Sequence, residues 1–456
     1  MPNLPRRRAA IAAAAFAALA FVYLYGLART GLLGPDEPRY AAIGRHMAES
    51  GDWILPVLWG RPWFEKPPLL YWMTAIGFRC GLGPDVAPRV PVAILSLGFI
   101  LFFWWRLRRA FCDRAAAIGA LMLASCGGWL AFSRIAVPDL PLAVTFSAAM
   151  LLLMTAEGWL AFAAAGALLG LAILAKALVP LVLILPALWF RRRDWPRLAG
   201  AFAIALAVSL PWYLAVWERA GRAFLDELFW RQEFARFFTP ERQHVQPFWF
   251  YAPVLLAALL PWTPALALLR RHHLGERYIP FLAAWAIWGF VFFSAATNKL
   301  PGYILPLLPP LCALAGVALD RAGHAIWVVA TCSLMLVLFG VAEAILPGAL
   351  AGGLRHVRFV LPFAGFVPAA AAMLGSAVLE SARRRLAPVG VIAAMALGMA
   401  AIAVDRTLPI VDTMASARNA WRLVRPQCIP VGTERSQIYG LNYYADRELP
   451  ACPSRR

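Results

Sequence analysis

Stretches of mostly apolar residues recur along the whole chain, most of them close to the length a helix needs to cross a bilayer. Short polar or arginine-rich interruptions separate them. The runs fall near residues 9–27, 89–105, 115–133, 140–156, 159–175, 177–190, 198–217, 247–268, 278–296, 301–318, 325–346, 359–380 and 387–404. In hydrocarbon a segment must satisfy its own backbone polar groups, so such runs are read as helices. The pattern predicts an all-α polytopic membrane protein with about 13 transmembrane helices.

The interruptions carry the topology. Arginine clusters stand at Arg6 to Arg8, Arg106 to Arg109, Arg191 to Arg193, Arg270 with Arg271, and Arg383 to Arg385. Successive clusters are separated by an even number of runs, so all lie on one side, and the arginine excess marks that side as cytoplasmic. Parity then places residues 28–88, the turn 134–139, the junction at Lys176, and residues 218–246 and 297–302 on the outer face. The chain divides into a transmembrane body, 1–404, and a small external C-terminal domain, 405–456. The body carries a first outer loop at 28–88 and a second at 218–246. Within the first, Asp36 can cap a helix whose first turn holds Glu37 and Pro38 and whose end is Gly51. Tyr40, Ile43 and Met47 share a face suited to lying on a membrane. Residues 222–238 look similar, with Phe224, Leu228, Phe234 and Phe238 on an apolar face.

Composition agrees: 62% of residues are hydrophobic and 15% charged, against about 25% charged in soluble proteins. A formal net charge of +19 would suggest nucleic-acid binding in a soluble chain; here it follows the topology. The N-terminal segment resembles a signal peptide. Its long apolar run, Tyr23 and Tyr25 at an interface, and the lack of a small-x-small cleavage site favour a retained anchor helix. Cys126, Cys312 and Cys332 fall in apolar runs as packing residues. Cys428 and Cys452 share the tail, where a disulfide in an oxidising compartment would constrain a unit too small for much core. Against a background of arginine, only Lys66, Lys176 and Lys299 are lysines.

The unusual polar residues gather on the predicted outer face. GPDEPRY holds the adjacent carboxylates Asp36 and Glu37, which can activate a hydroxyl or, for Asp36, simply cap a helix. RPWFEKPPLLYW holds Glu65 and Lys66; a lysine at a membrane surface suits a lipid phosphate, or it snorkels. SRIAVPDLPL places Arg134 and Asp139 in a short turn, with Asp139 either an N-cap or an acid of a site. LAKALVPL carries Lys176 between apolar runs. FWRQEFARFFTPERQHVQPFWFY carries Glu233, Arg236, Arg242 and His244, and NKLPGYILP carries Lys299 and Tyr303. No Walker A, GxGxxG, HExxH or GxSxG signature is present, and no Cys/His zinc pattern. A group transfer on the outer face, where nucleotides are not supplied, needs a membrane-delivered donor such as a polyprenyl-phosphate sugar. A transporter or flippase would instead favour internal repeats and polar residues at mid-membrane.

Taken in order, PDEPRYAAIGRHMAESGDWILP, FEKPPLLYW, AVPD, the lysine of LAKALVP, FWRQEFARF with HVQPFWFY, and KLPGYILP resemble the GT-C family of polyprenyl-phosphate-sugar glycosyltransferases over about residues 30–320. The resemblance is closer to the transferases that carry 4-amino-4-deoxy-L-arabinose to lipid A and to their protein mannosyltransferase-like relatives. It implies a GT-C fold with thirteen transmembrane helices and a periplasmic C-terminal domain in a bacterial inner membrane. It further implies an undecaprenyl-phosphate-linked sugar as donor and lipid A, another envelope glycan or a secreted protein as acceptor. Asp36 would be the catalytic carboxylate, with Asp139 and Glu37 as further acids. Lys66 and Tyr303 would meet the donor phosphate, joined by Lys176, Lys299 and Arg242. Glu65 and His244 match positions that would hold a divalent metal, zinc or magnesium. The tail is shorter than that family's C-terminal domain.

The even spacing of the clusters gives a direct expectation. Alkaline phosphatase fused after residue 410 is active and fused after residue 195 is inactive; the reverse pattern rejects the thirteen-span topology.

Overall fold

Helices dominate because the apolar runs leave no other way to satisfy the backbone. The structure, a computed structural model, describes residues 4–235, 245–269, 276–322, 326–352, 363–381 and 386–453. Among them, six helices are long and apolar enough to cross a membrane: Arg89–Ala110, Trp159–Lys176, Arg192–Ala220, Pro301–Arg321, Ile326–Leu350 and Leu386–Arg406. Shorter apolar helices include Asp139–Met154 and Ile279–Ala295. Several predicted runs are broken. The run at 115–133 splits at Cys126 into Asp113–Ser125 and Gly127–Phe132. The run at 177–190 splits into Val179–Leu183 and Leu185–Phe190, each with proline in its first turn, where a missing N–H costs nothing. The run at 247–268 is interrupted near Pro261. Two of these breaks face each other: the Gly127 N–H donates to the Leu260 carbonyl at 2.9 Å. Broken helices are tolerated at membrane depth when the freed groups find partners inside the protein.

Small residues set the closest helix crossings. A Cβ at Gly166 would come within 2.2 Å of the Ala201 carbonyl, so only glycine lets Trp159–Lys176 lie against Trp195–Ala220 at that distance. The core is aromatic and aliphatic, with Trp129, Trp285, Phe103 and Phe146 fully buried. The Trp129 indole donates to Ser96 at 2.9 Å.

The segment 28–88 holds the helices Asp36–Ser50 and Leu69–Arg79 and, between them, a two-stranded hairpin, Val57–Leu58 with Arg61–Pro62, which the all-α expectation did not include. Trp59 and Gly60 turn it with φ of 49° and 80°, the pair of positive values a tight hairpin requires. Gly51 ends the first helix at φ 75°, its N–H bonded to the Met47 carbonyl, as its position in the sequence indicates. Two expectations are corrected. Asp36 is the first helical residue, and Pro35 holds the cap position without a side-chain cap bond. Tyr40, Ile43 and Met47 are buried in the main core and do not face a bilayer, because the second helix and the tail cover them. Phe224 and Leu228 are buried beside Phe64 and Trp212; Phe238, and the side chain of Phe234, lie outside the described residues.

The tail packs tightly on this segment. It forms the helices Leu408–Ala415, Ala417–Val424 and Arg435–Ala445, and Cys428 is joined to Cys452. Arg418 is buried and donates to Asp85 at 2.8 Å, Asp412 at 2.7 Å and the Ala28 carbonyl at 2.7 Å. Tyr444 donates to Asp85 at 2.6 Å and Tyr443 to the Pro84 carbonyl at 2.7 Å. Removing Arg418 strands two shielded carboxylates. Arg418→Met therefore lowers stability by about 3–5 kcal/mol, read as early thermal melting and proteolysis of the tail. Arg29→Ala breaks an exposed pair with Asp405 and leaves the melting temperature close to wild type.

Candidate active site

Helix Asp36–Ser50 opens with two adjacent acids, and successive helical residues point about 100° apart. The two carboxylates therefore enter different surroundings. Glu37 is fully buried. It accepts two bonds from the Arg89 guanidinium, both at 2.7 Å, one from the Leu33 N–H at 2.8 Å and one from the Ala136 N–H at 3.0 Å. Arg89 spends its remaining donors on the Leu27, Thr30 and Gly31 carbonyls. Glu37, grouped with Asp36 as a catalytic acid, is thus surrounded by donors on every side and has the geometry of an anchor. It ties three segments together, including the turn that leads to Asp139.

Asp36 is half-exposed, and Arg39 one helical turn later donates to it. Arg39 also donates to Glu65 at 2.7 Å and to the Pro35 carbonyl at 2.9 Å. Its guanidinium is buried and faces the rings of Tyr40, Trp63 and Tyr439 at 5.7, 5.6 and 4.9 Å. Burial favours loss of its proton, but the fields of Glu65, Tyr40 and Asp36 outweigh this and hold it above the ordinary arginine value. Lys66 follows Glu65 directly and is buried, at the approach to helix Leu69–Arg79.

A second cluster forms where three other elements meet. Lys176, the last residue of helix Trp159–Lys176, lies 2.6 Å from Asp139, the first residue of helix Asp139–Met154, and 3.6 Å above the Tyr303 ring. Gly302 makes this possible, since a Cβ there would meet the Phe132 ring at 2.6 Å and the Asp139 carboxyl carbon at 3.1 Å. Asp139 is therefore an ion-pair partner, and the cap position belongs to Pro138. Lys299 has no anionic partner among the described residues. It donates to the Gln246 carbonyl at 3.0 Å and to the Ala296 carbonyl, and burial lowers its pKa.

Arg236, Arg242 and His244 lie outside the described residues, as does the side chain of Glu233. Glu65 Oε2 already accepts from Arg39 and from the Trp63 indole at 3.3 Å. Among the described residues no group of three His, Cys, Asp or Glu side chains gathers that could hold a metal ion. Arg39 was missed on sequence although it sits three residues after Asp36 in the quoted motif, the spacing at which helical charges meet. Tyr439 left no local signal, because it arrives from the far end of the chain. Glu37→Gln removes half of a fully buried ion pair and costs about 3–5 kcal/mol, seen as lost folded protein in detergent. Asp36→Asn, at a half-exposed position, melts close to wild type.

Residues 11–220 match the family model described as dolichyl-phosphate-mannose-protein mannosyltransferase. The undecaprenyl phosphate-alpha-4-amino-4-deoxy-L-arabinose arabinosyl transferase of Pseudomonas paraeruginosa is 35% identical over 66% of this chain, which spans 58% of that relative's length. The second such transferase of Pseudomonas fluorescens is 31% identical over 93% of this chain and 81% of its own. The crystal structure of ArnT from Cupriavidus metallidurans bound to undecaprenyl phosphate superposes with a TM-score of 0.77 and 27% identity, over 97% of this chain and 86% of that one.

Proposed function

The chain belongs to the undecaprenyl phosphate-alpha-4-amino-4-deoxy-L-arabinose arabinosyl transferase family, and from that membership we propose that it is a membrane glycosyltransferase that moves a sugar from undecaprenyl phosphate to lipid A. The observation that carries this reading is the half-exposed Asp36 carboxylate. It is joined through one buried arginine to Glu65 and hence to the segment bearing Lys66. The six long apolar helices, the shorter ones and the broken pair Asp113–Phe132 support thirteen crossings, with the N-terminus cytoplasmic and residues 405–456 a periplasmic domain.

The reaction is one displacement at the anomeric carbon. The acceptor oxygen forms the new bond as the bond to the donor phosphate oxygen breaks, and configuration inverts. Asp36 takes the acceptor proton. Lys66 holds the phosphate, whose negative charge grows as it leaves. Lys176 is already neutralised by Asp139 and rests on Tyr303, so this trio shapes the cavity wall and presents the tyrosine to the donor. Glu37 acts as a structural residue. Lys299 fixes the loop that carries Tyr303. The mannosyltransferase match over residues 11–220 supports a donor half shared with protein-modifying enzymes. The acceptor is checked by mass spectrometry of lipid A and secreted proteins from a deletion strain.

Asp36→Asn keeps size and fold but removes the proton acceptor, so transfer by purified protein falls about 100- to 10,000-fold. Lys66→Ala weakens donor use, and Lys66→Arg restores it only in part because the guanidinium fork differs from a compact ammonium. Near-normal turnover of Asp36→Asn overturns its assignment.

A further inference from the structure

Asp36 is held by Arg39, and Arg39 is held by the other end of the chain. Of the rings around the Arg39 guanidinium, Tyr439 is nearer, at 4.9 Å, than Trp63 at 5.6 Å or Tyr40 at 5.7 Å. Tyr439 sits on helix Arg435–Ala445 of the tail. Behind it lies Trp59, stacked at 5.7 Å with 19° between the planes. Trp59 is at the tip of the hairpin with φ 49°, a conformation bulky residues rarely adopt and which persists only where the surroundings fix it. The strand leaving that hairpin runs on to Trp63, Glu65 and Lys66. A single stack, Trp59 on Tyr439 on Arg39, thus reaches from the hairpin tip to the Asp36 carboxylate. The helix bearing Tyr439 is itself locked down by Tyr443, Tyr444 and the Arg45–Asp446 pair.

We propose that Tyr439 is a positioning residue for sugar transfer: its ring face holds the Arg39 guanidinium in the plane from which it fixes Asp36 and Glu65, so that the C-terminal unit completes the active site. The inference rests on the transfer reading above. Arg39 donates to Pro35, Asp36 and Glu65 at once, a set of bonds available in one orientation of its plane. A π face lying over the guanidinium, its centroid 4.9 Å from Cζ, attracts the cation and holds it there. An aliphatic side chain of similar bulk fills the space without selecting the plane.

The test compares Tyr439→Phe, which keeps the ring, with Tyr439→Leu and Tyr439→Met, which keep apolar bulk without it, in the full chain in detergent. Melting and the resistance of the tail to proteolysis verify that it is folded in each. The expected result is wild-type turnover for Phe and a kcat about 2- to 30-fold lower for both Leu and Met, the range a desolvated cation–π contact supports. Donor KM changes less than about twofold, since Tyr439 acts on the carboxylates and not on the donor phosphate. Folded Leu or Met variants that turn over like Phe overturn the proposal, as does a Phe variant that falls as far as they do. Absence of transfer by the wild-type chain overturns the functional reading itself, and the positioning role with it.

Discussion

The buried arginines at the start of helix Asp36–Ser50 and at its neighbour impose the constraint on which this end of the molecule depends. A guanidinium cannot be taken from water without a carboxylate and further acceptors for its remaining donors. Arg89 is satisfied by Glu37 and three carbonyls of residues 27–31, which fixes where the first apolar helix ends and where the acidic helix begins. Arg39 is satisfied by Asp36, Glu65 and the Pro35 carbonyl. Because the acids are adjacent and diverge by one helical step, the same turn can spend one carboxylate on architecture and leave the other half-exposed for chemistry.

The lysines sort themselves by the same physics. Lys176 meets a carboxylate and an aromatic face, Lys299 meets carbonyls among the described residues, and Lys66 directly follows the Glu65 that pairs with Arg39. A lysine bound to neutral carbonyls in a shielded place has a depressed pKa, which suits a loop staple better than a phosphate ligand. A lysine paired with an acid brings no net charge to a cavity. Lys66, buried in the segment that also bears Glu65, is the lysine to which the proposed mechanism gives the donor phosphate.

Much of this was readable beforehand because it is local. Apolar runs give helices, Gly51 ends one, and Asp36, Lys66, Asp139, Lys176 and Tyr303 stand out as polar residues in apolar company. What was not readable depends on distant pairing. The sequence says that Asp36 and Glu37 are neighbours, and only the fold says that Arg89, fifty-two residues on from Glu37, claims the second. Asp36 and Asp139 look like caps because caps are local, yet their helices are capped by proline and the acids are recruited by cations from elsewhere. The amphipathic face of Tyr40, Ile43 and Met47 is the same whether lipid or protein covers it. Tyr439, brought to Arg39 by the docking of the tail, belongs to the same class.

The most direct measurement of the central claim follows both halves of the transfer at once. Purified protein in detergent is incubated with an undecaprenyl-phosphate-linked aminoarabinose donor and lipid A, and mass spectrometry quantifies modified lipid A and released undecaprenyl phosphate. Equal amounts of the two products, each dependent on the presence of the other substrate, are predicted. A donor that stays intact, or one consumed without sugar appearing on lipid A, contradicts it.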